Sequence, residues 1–301
     1  MTTTDRLLLL DKPGGITSRA ALDRALRWFP RGTRMGHTGT LDPLATGLLV
    51  LCLGRATRLA EYVQRMAKTY RAGLQLGARS DTDDADGLVT PVTGASAPDA
   101  AAVAACLAGF VGTIDQVPPA FSAAKVTGQR AYDLARAGQE VALQARPVTI
   151  HSIVILSYAY PYLELEVRCG KGTYIRSLAR DLGERLGCGA LVASLRRTRV
   201  GPFAVEDAVS LETNPETACS RLLPAEAALA ELPQLHLSTH LVTRLCQGQT
   251  IQLGARDLVP SNLEKDAEVV LHDHSGRAVA IATYDARRKL LRPEKVLGAG
   301  S

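Results

Sequence analysis

One carboxylate stands in a loop that could present it to a substrate. Asp42 lies in the glycine-rich stretch 36–54, directly ahead of Pro43 and of the apolar run 48–53. Glycine permits backbone angles that other residues avoid, proline moves the preceding residue away from helical geometry, and the apolar run predicts a rigid strand. An acid at such a rim can be aimed at a substrate, as nucleophilic chemistry requires. The alternative is an Asx turn without chemistry.

Four other segments between residues 6 and 210 combine glycine, proline, charged and aromatic residues in short motifs. They are Asp11-Lys12-Pro13-x-Gly15-x-Thr17-Ser18; Lys68-x-Tyr70 with Asp81-Thr82-x-Asp84-x-Asp86-Gly87; Val117-Pro118-Pro119-x-Phe121-Ser122-Ala123-x-Lys125-x-x-Gly128; and Lys171-Gly172-Thr173-Tyr174-Ile175-Arg176 with Asp181-Leu182-Gly183 and Leu195-Arg196-Arg197. With the Asp42 loop they make five motifs whose order resembles the TruB family of tRNA pseudouridine-55 synthases. The length of the match at 36–54 favours the nucleophile loop of this family over an Asx turn without chemistry. One departure from the family is Phe121, which stands where Tyr is usual.

The resemblance implies that the protein isomerises uridine 55 in the T-loop of tRNA to pseudouridine. This reaction breaks the N1 glycosidic bond, turns the uracil and rejoins it through C5, so the nucleotide must first be flipped out of its stack. Asp42 would attack the ribose or the base and hold one fragment covalently. No cofactor is expected for a redox-neutral isomerisation. No metal is expected either, because the acidic turn 81–87 does not fit a calcium loop.

Two further residues would complete the catalytic set that the resemblance implies. Arg176 would pair with Asp42 and lower its pKa, which keeps the nucleophile ionised. Tyr70 would stack on the flipped uracil and help to move a proton, while Tyr174 would form the floor of the pocket beside it. On pattern alone, Tyr70 could instead be a cross-strand packing residue, and Arg176 could be a solvated charge.

RNA contacts are expected from a histidine and from several cations. His37 would contact the disrupted tRNA loop. Lys12 would belong to the substrate-binding set as structural support near the active site, although it could simply cap a turn beside Pro13. The expected phosphate contacts are Lys125, Arg130, Arg146, Arg196, Arg197 and Arg199. The alternative for each cation is a solvated surface charge.

The composition is that of an ordinary globular protein. Of 301 residues 46% are hydrophobic and 22% are charged, and the formal net charge of +5 is compatible with a polyanionic partner without requiring one. Six cysteines include no CxxC pair, which argues against a disulfide framework and a zinc site. No apolar run approaches the ~18 residues of a membrane span. We therefore expect a cytoplasmic protein without a membrane partner.

The element pattern predicts a mixed α/β catalytic domain at residues 1–230 with an antiparallel-rich central sheet. Strand patterns occur at 7–10, 68–76, 150–156 and 163–169, and helix patterns at 18–29, 99–108 and 174–186, with Ser18 and Gly187 as the expected N-cap and stop. Residues 118–147, with a helix near 132–137, resemble the tRNA-gripping insertion of the family. Residues 231–301 contain short strands and resemble, more weakly, a PUA-like RNA-binding domain.

Two other functions remain open from the sequence. One is a non-catalytic tRNA-binding or folding chaperone, which intact Asp42, Tyr70 and Arg176 argue against. The other is a guide-RNA-dependent pseudouridine synthase, which the insertion 118–147 argues against because it resembles that of the stand-alone tRNA enzymes. A monomer that grips the T-arm of one tRNA is the simplest expectation.

Overall fold

The computed structural model describes residues 5–122, 125–126, 129–130, 143–254, 263–264 and 266–297, with the backbone alone at 125–126 and 129–130. The chain divides into two compact units, Met1–Ala225 and Glu226–Ser301. The first has strands β1 (Arg6–Lys12), β2 (Met35–His37), β3 (Thr46–Leu53), β4 (Lys68–Leu76), β5 (Ala78–Ser80), β6 (Val89–Pro91), β7 (Gly112–Gln116), β8 (Lys125–Val126), β9 (Gln129–Arg130), β10 (Arg146–Ala159), β11 (Tyr162–Cys169), β12 (Ala190–Val200), β13 (Phe203–Ala204), β14 (Val209–Ser210) and β15 (Leu223–Pro224). Its helices are α1 (Ser18–Ala25), α2 (Ala60–Arg65), α3 (Ala100–Ala108), α4 (Ile175–Arg185) and α5 (Pro215–Ser220).

A large mixed sheet organises the first unit. Over the described residues it has 11 strands, eight of them in the order β14-β1-β3-β12-β4-β11-β10-β7, while β2, β13 and β15 pair with β3, β12 and β1. Strand pairing is antiparallel except at β1–β14 and β3–β12. The predicted mixed α/β class with an antiparallel-rich sheet is confirmed.

Helix α4 covers the middle of this sheet. Its apolar stripe, Ile175, Leu178 and Leu182, is buried in one cluster with residues of β4, β11 and β12. Gly183 lets the helix approach β12 closely, because a Cβ added there would lie 2.1 Å from the Ala190 nitrogen. The helix that carries Arg176 is therefore fixed against the sheet by packing along its length.

The first helix is shorter than its predicted range and has a different N-cap. Thr17 accepts a hydrogen bond from the Ala20 nitrogen, and α1 ends at Ala25 before a 3-10 turn over Leu26–Trp28. The expectation of Ser18 as N-cap was wrong, because its hydroxyl is buried and bonds to Leu41 instead.

The second unit is built around a smaller sheet. Its strands are β16 (Gln234–His236), β17 (Ile251–Gln252), β18 (Ala267–His272), β19 (Ala278–Asp285) and β20 (Leu290–Val296), in the order β16-β18-β19-β20-β17. Helix α6 (Thr239–Cys246) places Leu245 in the apolar cluster of this sheet. The expected β-rich C-terminal region is confirmed.

The segment predicted as an insertion joins two neighbouring strands of the large sheet. Gln116 at the end of β7 pairs with Arg146 at the start of β10. Between them, the backbones of β8 and β9 pair in antiparallel orientation. The helix expected near 132–137 lies outside the described residues. Within the described ranges, no helix is long and apolar enough to cross a membrane.

Replacing Gly183 by Ala tests the close packing of α4. Alanine favours the helix over glycine by about 1 kcal/mol. Its methyl group would, however, overpack against the backbone of Gly189 and Ala190, which costs about 1–3 kcal/mol. We expect a net loss of unfolding free energy, measured by urea denaturation. Glu184→Ala, at the next and exposed helix position, is the control. Equal stability of the two variants would contradict this packing.

Candidate active site

Asp42 and Arg176 lie in contact although 134 positions separate them in the sequence (176 − 42). Arg176 Nε is 2.9 Å from Asp42 Oδ2, and the side chains are 5% and 37% exposed, respectively. The contact is an ion pair without directed hydrogen-bond geometry, since the Arg176 Nε–H has no aligned acceptor among the described residues. The cation is thus fixed inside the protein, while the carboxylate keeps a side open to solvent.

The turn that carries Asp42 is held by the main chain and by a neighbouring helix. The Ala45 nitrogen donates to the Asp42 carbonyl at 3.1 Å. The Ser18 hydroxyl accepts from the Leu41 nitrogen at 2.7 Å and donates to its carbonyl at 3.0 Å. Because backbone bonds close the turn and the carboxylate faces Arg176, the geometry does not match an Asx turn.

Two buried cations brace the same loop from other parts of the sequence. Lys12 Nζ lies 3.4 Å from the Pro43 carbonyl. Arg197 donates to the Gly39 carbonyl through Nη2 at 3.1 Å and to the Leu48 carbonyl through Nε at 2.7 Å. The residues on both sides of Asp42 are therefore fixed to β1 and β12, as a positioned nucleophile requires.

Arg176 has three further partners from two other segments. Its Nη1 donates to the Thr82 carbonyl at 2.9 Å and lies 3.4 Å from Asp84 Oδ2. Its Nη2 donates to the Phe121 carbonyl at 2.9 Å. Because this last contact uses the backbone, the change from the Tyr usual in the family to Phe does not remove it. One guanidinium joins the Asp42 loop, the acidic turn and the segment after β7.

The pKa of Asp42 is raised from its ordinary value, so the expected lowering was wrong. Burial is the largest cause, and the charges of Asp84 and Asp86 act in the same direction. Arg176 opposes the rise by its charge but does not overcome it. The carboxylate is therefore less readily ionised than an isolated aspartate, and Arg176 limits this effect.

Tyr70 lies in β4 on the sheet face that packs under α4. Its ring contacts the apolar cluster of the first unit, as the packing alternative predicts. Burial raises the pKa of the Tyr70 hydroxyl, while Arg197 lowers it less and Asp42 acts to raise it. The hydroxyl therefore stays protonated near the carboxylate. Tyr174 is the N-cap of α4, two residues before Arg176.

His37 lies at the end of β2, ahead of the Asp42 loop. Its Nδ1 is buried and has no hydrogen-bond partner among the described residues. Burial, followed by the charges of Arg197 and Arg19, lowers the pKa of the imidazole. Both observations favour the neutral form of the ring.

Several expected RNA contacts are placed differently from the prediction. Lys12 and Arg197 are 0% and 2% exposed and donate to carbonyls, so they brace the loop and do not reach phosphate. Burial lowers the pKa of Lys12 to about 8. Arg196 forms a forked contact with Asp11, at 2.7 and 3.1 Å. The expected direct RNA contacts at Lys12 and Arg197 are corrected accordingly. Lys12 donates to the Pro13 and Ile16 carbonyls at 2.8 Å, which fits the turn-capping alternative.

The remaining cations differ in what the structure describes. Arg146 and Arg199 are exposed, as phosphate contacts would have to be. The side chains of Lys125 and Arg130 lie outside the described residues, and only their backbone pairing is given.

The acidic turn holds the site together through separate partners. Asp81 Oδ1 accepts from the Leu88 nitrogen at 2.8 Å, and Asp83 lies 3.0 Å from Arg180. Asp84 contacts Arg176 and also accepts from the Thr82 hydroxyl at 2.6 Å. Over the described part of the chain, no three His, Cys, Asp or Glu residues are grouped to hold a metal ion.

Sequence reasoning did not single out two buried residues near Arg176. Asp84 was noted only as part of a motif and a possible calcium loop, yet it is 4% exposed and faces the guanidinium. Gln116 is 1% exposed and bonds to the backbone of Tyr174. The sequence signal was a polar residue inside a recognised motif for Asp84 and directly before one for Gln116. The partner of each residue cannot be read from sequence spacing.

Two family models match adjoining parts of the chain. Residues 27–175 match the TruB family pseudouridylate synthase (N terminal domain), and residues 176–230 match the tRNA pseudouridylate synthase B C-terminal domain. Similar proteins named tRNA pseudouridine synthase B occur in Burkholderia mallei (strain NCTC 10247), at 43% identity over 99% of this chain and 98% of the relative, and in Xanthomonas campestris pv. campestris (strain B100), at 43% over 94% and 91%.

Solved structures resemble the fold. A chain from the crystal structure of a Cbf5-Nop10-Gar1 complex has a TM-score of 0.76 at 23% identity, over 98% of this chain and 85% of that one. A chain from an archaeal box H/ACA sRNP Nop10-Cbf5 complex has a TM-score of 0.71 at 25% identity, over 97% and 85%. The chain belongs to the TruB family of pseudouridylate synthases.

Proposed function

We propose that this protein converts uridine 55 in the T-loop of tRNA to pseudouridine, with Asp42 as the nucleophile. The observation that carries the proposal is the solvent-facing Asp42 carboxylate against a buried guanidinium, beside a protonated Tyr70 hydroxyl. The relatives named tRNA pseudouridine synthase B support tRNA as the substrate.

The residues divide the chemistry between them. Ionised Asp42 attacks the ribose or the base, and Arg176 holds its charge in place. The N1–C1′ bond breaks, a C5–C1′ bond forms, N1 gains a proton and C5 loses one. Tyr70 stacks on the flipped uracil and, being protonated, can donate a hydrogen bond or take part in proton movement. Tyr174, at the start of α4, forms the floor of the pocket.

RNA binding involves surfaces beyond these residues. His37, which is partly exposed, contacts the opened tRNA loop. Exposed Arg146 and Arg199, partly exposed Arg196, and Lys125 and Arg130 contact phosphates of the T-arm. Residues 118–147 form the tRNA-gripping insertion of a catalytic domain at 1–230, and residues 231–301 form a PUA-like RNA-binding domain. The protein acts as a cytoplasmic monomer.

The two alternative functions are less well supported. A chaperone that only remodels tRNA would not need Asp42 held against Arg176 in a braced loop. A guide-RNA-dependent enzyme would not modify bare tRNA. Activity on a tRNA transcript with no other RNA present therefore distinguishes the proposed function from both alternatives.

Tritium release tests the proposal directly. A tRNA transcript labelled at uracil C5 is incubated with the native protein or with Asp42→Asn, and tritium in water is counted. We expect one equivalent released per tRNA by the native protein and none by the variant, because the amide is not a nucleophile. Binding of tRNA by both proteins without release would overturn the proposed function. Release that then appeared only on addition of a guide RNA would favour the guide-dependent enzyme, and none would favour the chaperone.

Asp84→Asn tests the balance of charges around Asp42. Asp84 raises the pKa of Asp42, so its neutralisation lowers that pKa. Since the reaction needs ionised Asp42, the acid limb of the single-turnover rate moves to lower pH. The maximal rate falls as well, because Arg176 loses a partner. Asp81→Asn is the matched control, because its amide oxygen can still accept from Leu88. An acid limb that stays in place, or moves to higher pH, contradicts this assignment.

A further inference from the structure

Residues 116–121 leave β7 and run beside the start of α4, and hydrogen bonds join them to this helix. The Gln116 side chain donates from Nε2 to the Tyr174 carbonyl at 3.1 Å and accepts from the Tyr174 nitrogen at 2.8 Å. Gln116 is 1% exposed, so both of its polar ends are satisfied away from water. This paired contact fixes the end of β7 to the N-cap of the helix that carries Arg176.

The next residue is held by two side chains of the same helix. The Val117 carbonyl accepts from the Ser177 hydroxyl at 2.7 Å and from Arg180 Nη2 at 2.8 Å. Arg180 is itself fixed by Asp83 at 3.0 Å and Asp181 at 2.9 Å. A carbonyl with two donors, one of them charged, is a strongly held point of the backbone.

The chain held in this way supplies a partner to Arg176. Four residues after Val117, the Phe121 carbonyl accepts from Arg176 Nη2 at 2.9 Å. This contact depends on where the backbone runs and not on the Phe121 side chain. If residues 116–121 moved away from α4, one end of the guanidinium would lose its acceptor and the Asp42–Arg176 pair would loosen.

We propose that Gln116, Ser177 and Arg180 are positioning residues that act through Arg176. They hold residues 116–121 against α4, so that the Phe121 carbonyl keeps the guanidinium oriented toward the Asp42 carboxylate. The relevance of this to RNA rests on the proposed function. Residues 118–147 are the proposed RNA-gripping insertion. The first residues of this insertion and the Asp42 carboxylate therefore contact the same group, the Arg176 guanidinium.

The test uses Ser177→Ala and Gln116→Met, which remove the hydrogen bonds and keep most of the side-chain volume. Tyr158→Phe is the matched control, because it removes a hydroxyl bond to the Pro98 carbonyl elsewhere in the same unit. The first readout needs no RNA. The Asp42 carboxylate is titrated by 13C NMR, with its resonance assigned from its absence in Asp42→Asn.

A loosened Arg176 stabilises the carboxylate less, so the Asp42 titration should move upward by about half a pH unit in both variants. The control should not move it. The charged groups that act on Asp42 besides Arg176 are Asp84, Asp86 and Lys12, and none is altered by these substitutions. A titration that is unchanged, or lower, in Ser177→Ala and Gln116→Met overturns the proposal.

The second readout separates positioning from RNA binding. In single-turnover assays with tRNA, the rate constant should fall about tenfold in both variants while the dissociation constant stays within about twofold, because a misplaced charge affects the reaction more than binding. If the rate constants of Ser177→Ala and Gln116→Met equalled that of Tyr158→Phe, these hydrogen bonds would have a structural role and no positioning role. If the native protein were inactive on tRNA, the proposed function would fail. The titration of the Asp42 carboxylate would still test whether these residues orient Arg176.

Discussion

The buried Arg176 guanidinium is the interaction on which the rest of the site depends. It is 5% exposed, and a buried charge is tolerated only when its donors are matched by acceptors or anions. Its partners come from the Asp42 loop, the acidic turn and the segment after β7. The large sheet and the packing of α4 bring these three segments to one point. Because the partners are so distant in sequence, only the completed fold can satisfy this cation.

The site balances two opposing effects on one carboxylate. Burial raises the pKa of Asp42, and a shift of one unit corresponds to about 1.4 kcal/mol between the charged and neutral forms. The neighbouring guanidinium works against this rise, while the nearby carboxylate of Asp84 supports it. A buried pair of this kind is weak evidence for stability, and its value lies in the placement of a charge. A carboxylate with a raised pKa that is partly open to solvent is suited to reaction more than to structure.

Much of the fold follows from local patterns, and the strongest are those with clear periodicity. Strand β4 covers the residues that its alternation predicts, and α3 begins after Asp99, which caps it as a side-chain acceptor. The pairing of Asp42 with Arg176 was expected from the family resemblance and not from spacing. Strand β4 and helix α3 could be predicted because the geometry of neighbouring residues decides both.

The predictions that failed depend on contacts between distant residues. Arg197 carries a charge that suggests a surface, yet its Nε donates to the Leu48 carbonyl 149 positions away. Lys12 donates to the nearby Pro13 and Ile16 carbonyls and also lies 3.4 Å from the Pro43 carbonyl, 31 positions away. Ser18 has the chemistry of an N-cap but bonds to Leu41. The direction of the Asp42 pKa shift depends on how deeply the folded chain buries the carboxylate. Burial of a polar group is a property of the assembled loop, so no local pattern could reveal it.

The central claim is that the geometry of Arg176, and not its charge alone, prepares Asp42 for reaction. The measurement that tests it most directly is the single-turnover rate of Arg176→Lys on tRNA, with the dissociation constant measured in parallel. Lysine keeps the charge but cannot reproduce a planar fork that meets several acceptors at once. We predict a rate loss of about 100-fold or more with nearly unchanged tRNA affinity. A rate close to that of the native protein would contradict the claim.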